Sequence, residues 1–396
     1  VPPLTVRLLR ALAGWVLVLG LTAVAVHPEG CGRPTDEALD HAAAQAVAWF
    51  GANLKPDGDF VYRYDRERGA EEPGYNDTRH AGVLWSLWQA ERVGISGAGS
   101  IAEAAFTRVE DRLIDTSFGP AYGRGSVVES GTMGLLVAAL DERRLATGNT
   151  DHDELLIGLG HTLAAAVNVD GSVSADLHVD NGPSDRRSPF FTGEVMWALA
   201  RLHLTFPAEG YDVPAVAIRR YLVEDRDAME TPWPPVSDHW GAYAFETMDR
   251  WPNPPILTAP ERQWQDRQLG LFGLQVRYES QREGGITLLT RGNIALPAGV
   301  GTLGEGLGNY LLQLLRSGDR PGDHDVLTER ADCVAHLLVG RQITASDAAE
   351  ESTPHRSIGA WFRLGDTQMD DQQHALSALL LLREVRATPS AFGKNS

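Results

Sequence analysis

The chain has 396 residues, 43% of them apolar and 22% charged. A large core is therefore available and wholesale disorder is excluded. Acidic residues outnumber basic ones 53 to 35, a net charge of −18, which excludes nucleic acid as the main partner because phosphate binding needs a basic footprint.

At the N-terminus, Arg7 and Arg10 precede an apolar run from Ala11 to Val26, closed by His27, Pro28 and Glu29. A basic start followed by such a run reads as an export signal, with Ala23-Val24-Ala25 as the cleavage motif, or as a retained single membrane anchor. The run is 16 residues, short of the roughly 20 that span a bilayer, so an anchor needs local thinning. In either case the basic end stays inside and the rest of the chain lies outside the cytoplasm, in the cell envelope or secreted. No leucine stands three residues before Cys31, which argues against a lipoprotein signal. Residues 1–34 are thus a leader with a short linker, 35–387 one helical domain, and 388–396 a tail. The two cysteines, Cys31 and Cys333, do not form a CxxC zinc motif. A disulfide and two free thiols both fit the sequence.

Beyond the leader, apolar periodicity predicts twelve helices and few strands. Their spans are 35–53, 76–94, 98–115, 127–148, 151–168, 189–206, 211–226, 237–250, 259–281, 301–317, 323–342 and 367–387. Odd-numbered segments are amphipathic. In the third, Ile101, Phe106, Val109 and Leu113 oppose Glu103, Arg108, Glu110 and Arg112, so one face meets water. Even-numbered segments are apolar nearly all round, as in Met133–Leu140, Val195–Ala200 and Ala378–Leu382, and must be enclosed by protein. Long connections precede the even helices and short ones follow them, which gathers the long loops at one end. Two of those loops repeat an Asp-Gly turn, Asp57-Gly58 and Asp170-Gly171, each leaving an odd helix.

Helix count, alternation and repeated turns resemble the α/α-toroid superfamily over residues 35–387. That group includes six-hairpin glycosidases, α/α polysaccharide lyases, terpenoid cyclases and prenyltransferase β-subunits. The resemblance implies an all-α (α/α)6 ring of six helical hairpins whose inner helices share one polar mouth. The starts of the even helices carry the candidate groups: Tyr75, Asn76, Asp77, Arg79 and His80; Glu129; Glu194; Asp238, His239 and Trp240; Glu305; Asp371 and His374. Arg291, in the long loop before the tenth helix, joins the substrate-binding set. Helix N-termini favour carboxylates and anionic ligands there. Asn76, Asp77, Ser237, Asp238, Asp366 and Thr367 are also good N-caps, and capping is the simpler account of each one alone. Glu194 and Glu305, placed in the first turns of apolar helices, are harder to explain structurally.

Kinship with the glycosidases implies an acid and a base drawn from Glu194, Asp238, Glu305 and Asp371, with His239 as a further catalytic group. Kinship with the lyases implies instead a uronate-binding cluster of Tyr75, Asn76, Arg79, His80 and His239 that removes a proton. The expectation is an extracytoplasmic carbohydrate-active enzyme, a hydrolase first and a uronate lyase or epimerase second. A terpenoid-cyclase-like toroid and a non-catalytic binder of glycan or protein are the alternatives. Many tryptophans, among them Trp85, Trp197, Trp233 and Trp264, suit a sugar ligand. No cofactor or metal is expected. Gly299-Val-Gly301-Thr-Leu-Gly304 matches GxGxxG but lacks a βαβ setting, and its glycines are expected to ease a loop into the tenth helix. Asp332, Cys333 and His336 lack the wider spacing of a prenyltransferase zinc set. The Asp366–Asp371 stretch lacks the DxDD spacing of a cyclase.

Overall fold

The computed structural model describes residues 3–25, 31–231, 236–282, 286–318 and 320–389; Trp233 and the end of the tail lie outside them. In chain order the helices are α1 (Leu4–Ala25), α2 (Asp36–Ala52), α3 (Asp77–Arg92), α4 (Ala98–Glu110), α5 (Ser130–Thr147), α6 (Asp153–Ala165), α7 (Pro189–Thr205), α8 (Asp212–Glu224), the short α9 (Arg226–Glu230), α10 (His239–Asp249), α11 (Ala259–Ser280), the short α12 (Ile286–Arg291), α13 (Pro297–Ser317), α14 (Pro321–Arg341) and α15 (Met369–Ala387).

Six of these close a ring. α3 packs on α5, α5 on α7, α7 on α10, α10 on α13, α13 on α15, and α15 back on α3. They correspond to the even-numbered segments, and their buried faces run nearly all round, as their composition requires. The amphipathic α2, α4, α6, α8, α11 and α14 form the outer layer. The architecture is an (α/α)6 toroid.

α1 stands apart from the ring with its apolar side chains exposed, and Leu4–Thr22 is long and apolar enough to cross a membrane. At 22 residues it is about 33 Å long. Arg7 and Arg10 lie within this helix, which therefore begins ahead of the 16-residue apolar run.

The all-α expectation holds, with only short strands added to it. The long connections carry short strands that rim one end of the ring: β1 (Arg63–Asp65), β2 (Ala70–Glu72), β3 (Leu113–Thr116), β4 (Gly119–Tyr122), β5 (Val127–Glu129), β6 (Asp176–His178), β7 (Gly182–Pro183) and β8 (Asp366–Gln368). β8 pairs antiparallel with β1, Tyr64 opposite Thr367, so the last connection is laced to the first. The repeated Asp-Gly turns share one geometry. Asp57 accepts from the Asp59 amide, Asp170 from the Ser172 amide, and Gly58 and Gly171 adopt φ of +83° and +89°, where a side chain would be strained.

The glycines of the GxGxxG stretch do not sit in a loop. α13 begins at Pro297, and Gly301, Gly304 and Gly308 lie on the face turned to α15. A Cβ at Gly304 would lie 2.8 Å from that of Ala378, one at Gly308 would lie 2.7 Å from Leu381 Cδ2, and one at Gly301 would strike the His374 carbonyl. These positions let the two backbones approach closely.

Cys31 and Cys333 are bonded, joining the linker after α1 to α14 across 302 residues of sequence. The zinc reading of Asp332, Cys333 and His336 therefore fails: Cys333 is spent, and Asp332 pairs with Arg386. Thiol alkylation of unreduced, denatured protein is expected to label neither cysteine. Cys333→Ser should lower stability by about 2–4 kcal/mol in chemical denaturation; an unchanged midpoint, or labelled thiols, would contradict the bond.

Candidate active site

The carboxylates at the helix starts separate into those that are tied down and those that are not. Asp238 caps α10: Oδ1 accepts from the Gly241 amide at 2.7 Å and Oδ2 from the buried Arg226 at 2.8 Å. Asp371 is likewise engaged, accepting from the Gln368 and Ala298 amides, each at 2.9 Å. It thereby binds the starts of α15 and α13 together, and burial pushes its acid up to about 7. Asn76 caps α3 through the Arg79 amide. Asp77 accepts from Arg108 at 2.9 Å, and the Arg108 guanidinium lies over the Tyr75 ring. Tyr75 in turn bonds His80 Nδ1 at 2.8 Å, and His80 Nε2 faces the Ala105 carbonyl at 3.1 Å. Burial holds His80 down at about 3. Tyr75, Asp77 and His80 thus join α3 to α4, while Asn76 caps α3.

Glu194 and Glu305 differ from these. Both lie deeper than the first turn, as the sixth residue of α7 and the ninth of α13. Glu194 is 5% exposed, its Oε2 has no partner among the described residues, and it occupies the space left by the missing side chain of Gly131 on α5. Burial pushes its acid up to about 8, Asp238 and Glu129 adding to the effect and His374 opposing it. Glu305, fully buried, accepts from His374 Nδ1 at 2.8 Å and from the Tyr243 hydroxyl at 3.4 Å.

His239, on α10, places Nε2 3.8 Å from the same Glu305 oxygen, too far for a hydrogen bond, and that nitrogen has no partner among the described residues. The two imidazoles stand edge to face, ring centres 5.2 Å apart. Their environments push them in opposite directions. Burial, and then the neighbouring His374, hold His239 well below its ordinary value, so it is neutral. Burial also disfavours charge on His374, but Glu305, with Asp370 and Asp371, more than offsets it and raises His374. Trp240 lies against both rings, 4.4 Å from His239 and 5.8 Å from His374, and stacks on Trp197.

At the rim, Arg79 bonds the Tyr62 hydroxyl at 2.6 Å and Asp370 at 3.2 Å. Glu129 meets Arg186 at 3.3 Å. Arg291 lies elsewhere, over the Tyr278 ring. The sequence reading did not single out Tyr243, Gln373, whose Nε2 is also unpartnered, or Asp370 as a binding group. Its available signal was the i, i+4 spacing of Asp370 and His374 and the glycine beside each deep acid, Gly193-Glu194 and Gly304-Glu305.

Two groups of described residues bring three metal-type donor atoms within 4.8 Å: His239, Glu305 and His374, and Asp65, Glu72 and Asp366. In the first, the oxygen that both histidines face already takes the His374 hydrogen bond. In the second, Arg63 fills the space, 3.0 Å from Glu72 and 2.6 Å from Asp366. The second is an ion-paired network as it stands, whereas in the first His239 Nε2 is left without a partner among the described residues.

No protein-family model matches the chain, and no curated protein sequence does. Solved structures do match. The cellobiose 2-epimerase of Spirochaeta thermophila is 14% identical with a TM-score of 0.60, covering 89% of this chain and 97% of its own. A D-mannose isomerase is 10% identical with a TM-score of 0.62, over 88% and 98%. A glycoside hydrolase family 76 mannosidase of Bacteroides thetaiotaomicron is 9% identical with a TM-score of 0.60, over 89% and 99%. At these identities the likeness is one of fold, and the fold is the six-hairpin toroid.

Glu194 gives a signed pH effect. Its folded acid lies near 8 against an ordinary value of 4.5, so the folded state holds its proton more tightly than the unfolded one. The contribution is full below about pH 4.5 and is lost as pH rises to about 8. Glu194→Gln should therefore leave stability at about pH 4 nearly unchanged and raise it at about pH 9 by on the order of a few kcal/mol. Equal shifts in thermal midpoint at both pH values would show that Glu194 is not held protonated.

Proposed function

We propose that the chain is a carbohydrate-active enzyme of the cell envelope that moves a proton at the carbon beside a sugar carbonyl, as in aldose–ketose isomerisation or 2-epimerisation. The observation that carries this reading is the His239–His374 pair. One imidazole is kept neutral with a free nitrogen, and the other is shifted toward its charged form by the buried carboxylate it is bonded to, with the two rings 5.2 Å apart. Environments that separate two like groups in this way mark a base and an acid.

In this scheme the sugar reacts in its open-chain form, which carries the C1 carbonyl, and Trp240 offers a face for its carbon chain. His239 Nε2 takes the C2 proton, and the electron pair moves through C1–C2 onto the carbonyl oxygen, giving an enediolate. Glu194, a neutral carboxylic acid, donates a hydrogen bond to that oxygen as its charge grows. His374 then gives its own proton to C2 from the other face, for epimerisation, after which exchange with solvent removes the proton from His239 and restores the one on His374; delivery of a proton at C1 instead, with the O2 proton passed to O1, leaves the carbonyl at C2 and gives the ketose. The fold neighbours named as a cellobiose 2-epimerase and a D-mannose isomerase support the reading by their names. Location outside the cytoplasm is supported by α1 and by the Cys31–Cys333 bond, which suits an oxidising compartment.

Glycoside hydrolysis is the second reading, favoured by the raised Glu194 acid. It has a weaker base, since Glu305 is fully buried and bonded to His374 and Tyr243.

The test incubates purified protein with free aldoses and disaccharides in deuterium oxide. Deuterium is expected to enter at C2 with formation of the epimer, or at C1 with formation of the ketose. His239→Asn and His374→Asn should each slow this by about 10²–10⁴-fold, and dialysis against a chelator should leave it unchanged. Release of monosaccharides without C2 exchange would replace the proposal with the hydrolase reading, and full activity in both histidine variants would refute the assignment of this site.

A further inference from the structure

An epimerising turnover leaves the histidine pair out of balance. His239 then carries a proton, His374 lacks one, and the next turnover waits until both are reset. His239 gives up its proton readily, since burial and the neighbouring His374 hold it well below its ordinary value. His374 is the harder half. Its Nδ1 stays bonded to Glu305 at 2.8 Å, so Nε2 is the nitrogen that loses the proton and must regain it. The side chain is only 13% exposed, which slows direct uptake from water.

We propose that Asp370 relays solvent protons to His374. The inference rests on the proton-shift reading of the site, and Asp370 acts on the reaction only through His374.

Position is the first argument. Asp370 and His374 stand i, i+4 on α15, so they share a face with about 5–6 Å between their Cβ atoms. Helical side chains lean toward the N-terminus. The imidazole therefore leans over the turn that carries Asp370, and that turn opens on the mouth. Asp370 lies between the ring and solvent.

The other acids are the second argument. Those that act on His374 are Glu305, Asp370 and Asp371, with Glu194 across the axis. Glu305 is fully buried and already bonded to His374 and Tyr243. Asp371 is buried and each of its oxygens accepts a backbone amide. Glu194 is buried on the far wall. Of the four, Asp370 is the one that reaches solvent, with 18% of its side chain exposed.

Its two oxygens are the third. Oδ2 meets Arg79 Nε at 3.2 Å, which holds the carboxylate at the rim. Oδ1 is buried and has no partner among the described residues. A proton taken from water at the rim neutralises the carboxylate and weakens the Arg79 pair. A half-turn about Cβ–Cγ brings the O–H inward, where it goes to His374 Nε2 directly or through one water. The O–H bond breaks, the N–H bond forms, and the carboxylate returns to Arg79. The competing account is a static tie, in which the pair only joins α15 to α3.

Asp370→Asn separates the two accounts, because it keeps an oxygen for Arg79 but is no acid. The full chain in detergent is assayed in deuterium oxide with cellobiose, D-glucose and D-mannose, following exchange at C2. Reset comes after product release, so kcat should fall about tenfold or more while kcat/KM stays within about twofold. Raising the concentration of imidazole buffer at constant pH and ionic strength should restore kcat, since a small acid then replaces the relay. The inference is overturned if kcat is unchanged, or if kcat and kcat/KM fall together and imidazole restores neither. Wild-type protein that exchanges C2 in none of the three sugars would overturn the proton-shift reading itself, and the relay with it.

Discussion

The close approach of α13 to α15 is the contact on which the site depends. Gly301, Gly304 and Gly308 remove every Cβ that would hold the two backbones apart. Glu305, fully buried, and His374, mostly buried, then face each other at 2.8 Å. A wider spacing would leave Glu305 as an uncompensated buried charge, which costs several kcal/mol, and His374 without the anion that keeps it protonated. The same economy of small residues recurs around the ring. Gly131 makes room for Glu194, and Gly193 lies against Asp238 and Trp240. The polar axis is narrow because glycine lines it.

Burial, not the helix dipole, governs the acids deep in the mouth. A helix N-terminus stabilises a nearby carboxylate by about 0.3–1 kcal/mol, and only within the first turn. Glu194 is the sixth residue of α7, beyond that reach, and its Oε2 meets no donor. Desolvation therefore wins and the group stays protonated near neutrality. Asp238 shows the contrast. One step before α10 begins, it collects a backbone amide and the Arg226 guanidinium. Two acids on adjacent helix starts thus differ in role because one sits at the cap and the other about two turns into its helix.

That difference of a few residues explains what the sequence could show. The inner and outer layers are legible in it because enclosure on all sides demands apolar residues all round, and the amphipathic segments between have only one wet face. The strands escape notice because each is two to four residues long and held by pairing partners far away in sequence, as β8 is by β1. The capping roles of Asn76 and Asp238 follow from their side chains. The engagement of Tyr75 and His80 does not, because it depends on Arg108 and the Ala105 carbonyl of α4. Nor does the separation of His239 from His374, since two histidines near the starts of inner helices look alike until Glu305 is found bonded to only one.

The aromatic layer across the axis gives the toroid two unlike ends. Trp85, Trp197, Trp240 and Tyr243 pack with ring centres 4.8–6.0 Å apart and seal the bore. Toward the helix N-termini the polar groups are few and several lack partners, as at Glu194, His239 and Gln373. Toward the C-termini they are many and mostly matched, arginine against carboxylate. Matched pairs resist change in charge and suit recognition, whereas unmatched buried groups have displaced proton affinities and suit proton transfer. Tyr243 belongs to both ends, its ring in the rear wall and its hydroxyl on Glu305. A shift of that one side chain would alter the acceptor of His374, and so the more basic member of the histidine pair, without disturbing any helix of the ring.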